Sequence, residues 1–259
     1  MAMQPHSTRR VDVVRFPGTR QDVDAVAVEE PLEIRVNGVA VAVTMRTPGH
    51  DEELALGFCV TEGLHPGGAR VPPDFAANAV DVDVPDFDPA VLKRNFYTTS
   101  SCGVCGKGAL EAVAVAAEPV DSALRVRTRL VADLPARLRA EQATFAATGG
   151  LHATGLFTTE GELVCLREDV GRHNAMDKVI GWAYADDRLP LSDSLLCVSG
   201  RLSFELVQKA AVAGCPIVVA VGAPSSLAVE LAEAQRITLC GFTSADRVNV
   251  YTETWRIER

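Results

Sequence analysis

Long apolar runs are absent from this chain of 259 residues, and none approaches the roughly 18 residues that span a bilayer. Residues 1–10 are polar, so they lack the apolar centre of a secretory signal. We therefore expect a cytoplasmic protein that binds no membrane. The hydrophobic fraction of 47% excludes a disordered chain and is sufficient to build a buried core.

Positive charge is also scarce. The 25 Lys and Arg residues are outnumbered by 34 Asp and Glu residues, which gives a formal net charge of −9. A protein that binds duplex nucleic acid needs a broad basic face, so we expect no nucleic-acid partner. An anionic small molecule is still allowed, because a few arginines and helix N-termini can build a locally positive pocket.

The chain lacks a second closely spaced pair of cysteines. Cys102 and Cys105 belong to the sequence Cys-Gly-Val-Cys, whereas the other five cysteines are scattered. The odd total of seven argues against a disulfide framework in a cytoplasmic protein. We interpret the scattered residues mostly as small core side chains. They are Cys59, Cys165, Cys197, Cys215 and Cys240.

The first part of the chain has the pattern of strands with one helix. Apolar segments at 32–36 and 39–45 flank Asn37-Gly38, which is a strong signal for a β-hairpin. The acidic residues 51–53 favour the start of a helix that we expect to run to Gly63. We also predict a loop at 65–73, a strand at 79–84 and helices at 109–117 and 135–147, with Pro135 in the first turn of the last helix.

From residue 151 onward, helices and short apolar segments alternate after a predicted hairpin at 151–159 and 162–167. This alternation is typical of an α/β fold with a sheet buried on both faces. We place a domain boundary after Thr148. It separates a smaller, β-rich α+β region at 1–148, which carries the cysteine pair, from an α/β domain at 149–259.

The segment from Cys102 to Cys105 is the sharpest chemical signal. Two thiols at this spacing can share a metal, exchange a disulfide or carry a persulfide, and each use needs a thiolate that Lys107 and free amide groups would stabilise. A zinc site needs more ligands, which His152 and His173 could supply only by long-range convergence. A thioredoxin-type dithiol follows a core strand, but the residues before Cys102 are polar.

A second cluster lies at 168–178, where a predicted strand passes into a helix. Its sequence is Glu-Asp-Val-Gly-Arg-His-Asn-Ala-Met-Asp-Lys. Arg172 and His173 stand at the helix start, where they can meet an anion. The alternative is a surface helix with an acidic cap and an i,i+4 pair between Asn174 and Lys178. Spacing alone does not choose between these interpretations.

Small and hydroxyl residues follow three predicted strands, at 200–203, 222–226 and 242–247. Such loops at the carboxyl edge of an α/β sheet can hold phosphates, although none matches a P-loop or a dinucleotide fingerprint. Their repetition favours an anionic ligand. The arginines available for it are Arg172, Arg201 and Arg247, which would be ordinary surface residues if the loops did not converge.

Three segments now carry a resemblance to a known family. They are Ser-Cys-Gly-Val-Cys-Gly at 101–106, the cluster at 168–178, and Ser-Gly-Arg-Leu-Ser-Phe-Glu-Leu-Val-Gln-Lys at 199–209. In this order and in one chain, they resemble signatures of the FdhD family of sulfur carrier proteins (sulfurtransferases), which formate dehydrogenase activity requires. The matches extend from about residue 30 to residue 252.

The resemblance implies a cytidine-deaminase-like α/β fold for the second domain. The zinc signature of the deaminases, His-x-Glu followed by Pro-Cys-x-x-Cys, is absent. The resemblance also implies that Cys102 carries persulfide sulfur from a cysteine desulfurase, with Cys105 as its partner. The acceptor would be the molybdenum (or tungsten) bis(molybdopterin guanine dinucleotide) cofactor destined for formate dehydrogenase. A homodimer is suggested as well.

The family's cofactor-binding segment corresponds here to Phe242, Thr243, Ser244, Ala245, Asp246 and Arg247. Relatives usually have a basic residue third and a glycine fifth, where this chain has Ser244 and Asp246. An acidic side chain beside a pyrophosphate is unfavourable, so Arg247 is a stronger candidate than its neighbours. Arg172, His173 and Arg201 complete the expected anion site. The alternative function is a non-catalytic chaperone whose thiols only tether or shield the cofactor.

Overall fold

The computed structural model describes residues 7–72, 78–85, 87 and 115–259. The strands in these ranges are β1 (Thr8–Arg15), β2 (Arg20–Ala27), β3 (Glu30–Val36), β4 (Val39–Arg46), β5 (Gly68–Arg70), β6 (Ala79–Asp83), β7 (Val126–Arg127), β8 (His152–Phe157), β9 (Leu163–Asp169), β10 (Leu195–Val198), β11 (Ile217–Ala220), β12 (Thr238–Ser244), β13 (Arg247–Val250) and β14 (Ile257–Glu258). The helices are α1 (Asp51–Thr61), α2 (Thr128–Glu141), α3 (Ala143–Thr148), α4 (Arg172–Ala185), α5 (Phe204–Val212) and α6 (Ser226–Ala234), and a 3₁₀ turn covers Thr254–Arg256.

A six-stranded sheet with the order β13-β12-β11-β10-β8-β9 organises the second part of the chain. The three strands β10, β11 and β12 are parallel, whereas β8 runs antiparallel to β10 and to β9, and β13 runs antiparallel to β12. The carboxyl ends of the parallel strands therefore share one edge with the start of β8 and the end of β9. The predicted mixed α/β architecture is confirmed.

Both faces of this sheet are buried, as the apolar strands predict. Side chains alternate along each strand, so Leu196 packs with α4, α5 and α6 on one face, while Cys197 packs with α2 on the other. On the α2 side, Val131, Leu134 and Leu138 repeat at helical spacing and are at most 1% exposed. The sheet thus lies between two apolar layers.

A four-stranded sheet with the order β4-β3-β6-β5 and helix α1 form a separate core near the N-terminus. The predicted hairpin is confirmed, since Val36 pairs with Val39. Asn37 and Gly38 adopt positive φ values of 50° and 80° in its two-residue turn, the conformation that Asn-Gly favours. The predicted helix after residue 50 is also confirmed, and it ends at Thr61.

Helices α1 and α4 pack closely where two glycines face the opposite backbone. A Cβ atom added to Gly57 would overlap the carbonyl of Asp177, and one added to Gly181 would overlap the carbonyl of Glu53. Contacts also cross the predicted boundary after Thr148, because α2 packs on the six-stranded sheet. The division into domains at that point stays a prediction.

The predicted helix at 135–147 is wrong in its limits. Helix α2 begins at Thr128, so Pro135 lies inside it and not in its first turn, and a break at Gln142 separates α2 from α3. Burial of the apolar side chains from Val131 to Leu138 against the sheet outweighs the loss of the hydrogen bond that proline cannot donate.

The predicted loop at 65–73 contains the short strand β5. Residues 109–114 lie outside the described residues, and 115–117 form neither helix nor strand.

The antiparallel hairpin of β1 and β2 was not predicted from the sequence.

None of the helices in the described ranges combines the length and apolarity that crossing a bilayer requires.

Candidate functional site

The loops that follow the three parallel strands are hydrogen-bonded side by side at one edge of the sheet. The Gly222 N–H donates to the Gly200 carbonyl at 2.9 Å, and the Phe242 N–H donates to the Gly222 carbonyl at 3.0 Å. A Cβ atom on Gly222 would lie 2.9 Å from the Gly200 carbonyl oxygen, so glycine is required for this close approach. The structure therefore brings together the three segments that the sequence singled out. The third is not a loop after the strand as predicted, because residues 242–244 belong to β12 and Arg247 begins β13.

A cleft of about 660 Å³ lies beside this edge, between the loops and the end of α2. Helices α2 and α3 supply one wall, and the ends of β10, β11 and β12 supply the other. The lining residues are Pro135, Ala136, Leu138, Arg139, Gln142, Phe145, Gly149, Gly150, Leu151, His152, Ser199, Val221, Thr243, Ser244 and Ala245. Clefts at this edge of a parallel sheet are the usual ligand sites of α/β proteins.

The segment 242–247 forms the tight hairpin between β12 and β13 beside the cleft. Of its residues, Thr243, Ser244 and Ala245 line the cleft. Phe242 has a positive φ of 50°, at a bulge in the pairing of the two strands. Its carbonyl accepts a hydrogen bond from Arg247 Nε at 3.1 Å, and the Arg247 guanidinium lies 5.2 Å from the Phe242 ring centroid.

The two residues at which this segment departs from the family pattern are exposed. Ser244 pairs with Arg247 across the hairpin, and Asp246 lies in the two-residue turn between them. The Arg247 side chain therefore extends from the same turn that carries the acidic Asp246. The role of the segment in ligand binding stays a prediction.

Positive side chains surround His152, which begins β8 and lines the cleft. A Cβ atom on Gly200 would lie 3.3 Å from His152 Nδ1, so the loop after β10 closes against the imidazole. Burial lowers the pKa of His152, and the positive charges of Arg172, His173 and Arg201 lower it further. The predicted anion-binding side chains Arg172, His173 and Arg201 thus all act electrostatically on His152, although they are not among the described residues that line the cleft.

His173 faces the start of α5. Its Nε2 lies 3.3 Å from Ser203 Oγ and 3.8 Å from a carboxylate oxygen of Glu205. The nearby His173 imidazole is the main cause that lowers the pKa of Glu205 to about 2. Glu205 is therefore a carboxylate at neutral pH, and it partly offsets the positive charge around His152.

The acidic residues at 168–169 have a structural role. The Glu168 carboxylate accepts the backbone N–H groups of Thr144 at 2.9 Å and Phe145 at 2.7 Å, which holds the start of α3. Asp169 is fully buried and accepts N–H groups from Thr47 and Gly171. The surface-helix interpretation of this cluster is therefore wrong, because Asp169 and most of the first half of α4 are buried. The interpretation of Arg172 and His173 as an anion site stays a prediction.

The proposed i,i+4 pair within the cluster is not formed. Asn174 donates to the Met45 carbonyl at 2.8 Å, and Lys178 donates to the Thr47 carbonyl at 2.8 Å. Asn174 therefore reaches the end of β4 and Lys178 reaches the loop before α1, so the two side chains do not bind each other. They fix the N-terminal sheet to the α/β part of the molecule.

Lys209, in the third segment that carries the resemblance, is buried as well. Its Nζ lies 2.8 and 2.9 Å from the two carboxylate oxygens of Asp177 and 2.9 Å from Thr61 Oγ1. The three side chains come from α5, α4 and α1 respectively. They form a polar contact among three helices rather than part of the cleft.

Two residues of the site were not predicted from the sequence. The sequence indicates His152 only as a remote zinc ligand, and it gives no indication of Gln142. The position of His152 could have been found from topology, because a strand antiparallel to β10 starts at the carboxyl edge of the sheet. Gln142 gives no such signal, since its place depends on the break between α2 and α3.

Cys102 and Cys105 lie outside the described residues. The other five cysteines are free and buried, which confirms their interpretation as core side chains. Burial raises the pKa of Cys59, Cys165, Cys215 and Cys240 to about 12 and raises that of Cys197 as well. These thiols are therefore protonated at neutral pH and are poor nucleophiles.

The sequence profile of the FdhD/NarQ family matches residues 27–258. A protein described as sulfur carrier protein FdhD from Streptomyces coelicolor is 49% identical, over 96% of this chain and 94% of its own length. The protein with the same description from Mycolicibacterium paratuberculosis is 47% identical over 98% of this chain and 100% of its own length. The relative from Sulfolobus acidocaldarius is 44% identical over 91% of this chain and 92% of its own length.

A solved structure has the same overall fold. The crystal structure of a protein from Desulfotalea psychrophila, assigned as a formate dehydrogenase accessory protein, superposes with a TM-score of 0.74 at 26% identity. The match covers 96% of this chain and 98% of the solved one. These comparisons span nearly the whole chain, including both the cleft and the cysteine pair.

Proposed function

The chain belongs to the FdhD/NarQ family, and from this membership we propose that it is a sulfur carrier (a sulfurtransferase) required for formate dehydrogenase activity. Cys102 receives the terminal sulfur of a persulfide on a cysteine desulfurase. Its thiolate attacks that sulfur, the S–S bond in the donor breaks, and the donor cysteine leaves as a thiolate. The Cys105 thiolate then attacks the Cys102 sulfur, the persulfide S–S bond breaks, and a Cys102–Cys105 disulfide forms as the outer sulfur leaves as hydrosulfide. That sulfur passes to the molybdenum or tungsten bis(molybdopterin guanine dinucleotide) cofactor, which is the cargo.

The observation that carries this proposal is the state of the remaining thiols. All five cysteines in the described part of the chain are buried, and their raised pKa values keep them protonated. A sulfur carrier needs a thiolate that a large donor enzyme can reach. Of the seven cysteines, Cys102 and Cys105 are the two left for this role.

The cleft is proposed to bind the guanine nucleotide part of the cofactor. A mononucleotide fits a site of several hundred Å³, and the volume of about 660 Å³ is sufficient. Phosphates would lie near His152 and the positive group formed by Arg172, His173 and Arg201. The buried Nε of Arg172 supports this assignment, because it has no hydrogen-bond partner in the described structure. The net charge of −9 makes such a local positive region necessary.

Sulfur mapping tests the carrier role. The purified protein is incubated with a cysteine desulfurase and labelled cysteine, and bound sulfur is located by mass spectrometry. One added sulfur atom is expected on Cys102, and it should disappear in Cys102→Ala. The matched control is Cys165→Ala, which removes a buried thiol and should leave the adduct unchanged. A wild-type protein whose loop cysteines stay unmodified under these conditions would exclude the role.

A cofactor chaperone is the second candidate. Fifteen described residues already line the cleft, so a nucleotide can be held by side chains other than the cysteine pair. Guanine-nucleotide binding together with unmodified thiols in the sulfur-mapping experiment would favour this function.

Three further features follow from the resemblance and remain proposals. The α/β part is related to the cytidine deaminase fold, which is supported by the β8–β9 hairpin followed by three parallel strands. The protein is a homodimer, which light scattering can test. It acts in the cytoplasm, where fractionation of cells should recover it.

A further inference from the structure

Two polar side chains in the wall of the cleft are buried without a hydrogen-bond partner. Gln142 is 3% exposed and Thr243 is 2% exposed, and both line the cleft. Within the described ranges, neither Gln142 Nε2 nor Thr243 Oγ1 has a partner. Native structures pair more than about 90% of such atoms, because an unpaired buried donor loses its hydration without compensation. Two of them in one cleft indicate a ligand that supplies the missing partners.

The backbone holds Gln142 in place independently of its side chain. Its N–H donates to the Arg139 carbonyl at 3.4 Å, and its carbonyl accepts the Ala146 N–H at 2.9 Å. Glu168 fixes the next turn by accepting the N–H groups of Thr144 and Phe145. The helix junction therefore fixes the backbone of Gln142, while its side-chain Nε2 has no hydrogen-bond partner among the described residues.

The surroundings of these two atoms suit a flat ring. Pro135, Leu138 and Val221 give the cleft apolar walls. Phe145 completes them, and its ring is held under the Arg139 guanidinium at 3.8 Å. A nucleobase presents two apolar faces and an edge of hydrogen-bonding atoms. An amide and a hydroxyl between apolar walls complement that shape.

We propose that Gln142 and Thr243 hydrogen-bond the edge of the nucleotide base and set the base preference of the cleft. This inference rests on the proposed function, in which the cleft holds the guanine nucleotide part of the cofactor. The Gln142 Nε2 donor complements an acceptor such as the guanine carbonyl. The phosphates extend toward His152, the cleft residue on which the charges of Arg172 and Arg201 act.

Calorimetry with GDP, guanosine and inorganic pyrophosphate tests this assignment on the full chain. Gln142→Leu removes the hydrogen bonds at similar volume, so we expect GDP and guanosine to bind about tenfold more weakly. Pyrophosphate affinity should not change, and the preference for GDP over ADP should shrink. Thr243→Val should act in the same direction.

The matched control is Gln235→Leu. Gln235 also has a buried atom without a partner, Oε1, but it follows α6 at the opposite edge of the sheet. Its substitution should leave GDP affinity unchanged. Thermal unfolding of each variant shows whether it folds. Gln142→Asn is a second, conservative variant. Because it keeps an amide, it should retain a preference for GDP over ADP.

The outcomes separate this inference from the function on which it rests. If the wild-type chain binds GDP and Gln142→Leu binds it equally well, the base contact is wrong and the nucleotide site stands. If Gln142→Leu loses GDP and pyrophosphate to the same extent, the base contact is likewise wrong. If the wild-type chain binds neither GDP nor guanosine, the proposed nucleotide site fails and this inference fails with it.

Discussion

Lys178 Nζ lies 2.7 Å from a carboxylate oxygen of Asp169, and the two side chains are 1% and 0% exposed. Both also bind Thr47, in the loop before α1: Lys178 donates to its carbonyl, and Asp169 accepts its N–H. The pair therefore links the middle of α4, the end of β9 and the N-terminal part of the chain. Because Arg172 and His173 of the predicted anion site begin α4, their positions depend on this buried contact.

Removing one member of this pair should destabilise the fold strongly. We expect Asp169→Ala to lower the free energy of unfolding by ~3–5 kcal/mol, because it leaves the Lys178 ammonium buried without its counter-charge. Urea unfolding followed by circular dichroism measures the change. The control is Asp133→Ala in the exposed pair with Arg129, which should cost less than about 1 kcal/mol. Equal losses in the two variants would contradict this account.

The crossing of α1 and α4 should not tolerate a methyl group. Gly57→Ala and Gly181→Ala each place a Cβ atom against the backbone of the opposite helix, so the helices must separate. Overpacking of this kind costs ~1–3 kcal/mol or more. Thermal unfolding should show a clear drop in Tm for both variants. Gly68→Ala is the matched control, because no described atom lies within 4 Å of its added Cβ, and it should leave Tm nearly unchanged.

Alkylation should separate the two classes of cysteine. At about pH 8, iodoacetamide should modify Cys102 and Cys105 in the folded protein, since an ordinary thiol is partly ionised there. The five buried cysteines should react only after unfolding, because burial keeps them protonated and inaccessible. Peptide mass spectrometry identifies the modified sites. Rapid modification of Cys197 or Cys240 in the native state would be inconsistent with the core described above.

Local sequence signals predicted those parts of the fold that local chemistry decides. Asn37-Gly38 adopts a backbone conformation with positive φ that only a few residue types favour, so this dipeptide was sufficient to predict the hairpin. The hairpin of β1 and β2 was not predicted, although it carries a comparable signal: Val and Asp residues flank both sides of a Pro-Gly turn at 16–19. Pro135 misled the helix assignment, since burial against a distant sheet decides where α2 starts.

Only the part of the candidate site that follows from sheet topology was predictable from the sequence. Residues after parallel strands meet at one edge, so the loops at 200, 222 and 242 could be placed together in advance. The burial of Asp169 and Lys178 could not be predicted from the sequence, because a dense charged cluster suggests a solvent-exposed helix. Gln142 depends on tertiary packing alone.

Ligand binding should couple to protonation of His152. Its pKa lies below the ordinary value near 6.5 because it is half-buried and because Arg172, His173 and Arg201 are positively charged, whereas Asp169 opposes the shift. The unfolded chain therefore takes up this proton at higher pH than the folded protein. The contribution of His152 to stability is present above about pH 6.5 and is lost as the pH falls through the lowered pKa.

A bound pyrophosphate adds negative charge beside the same imidazole, so it should raise the pKa of His152. GDP binding should then take up protons, and its affinity should rise as the pH falls through the bound-state pKa of His152 toward the lower pKa of the free protein. Proton NMR of the His152 ring, titrated with and without GDP, measures the shift directly. Arg201→Gln should raise the pKa of His152 in the free protein, and His152→Gln should weaken the pH dependence of GDP affinity. If the ring titrates identically in the free and bound states, the phosphates do not lie at this end of the cleft.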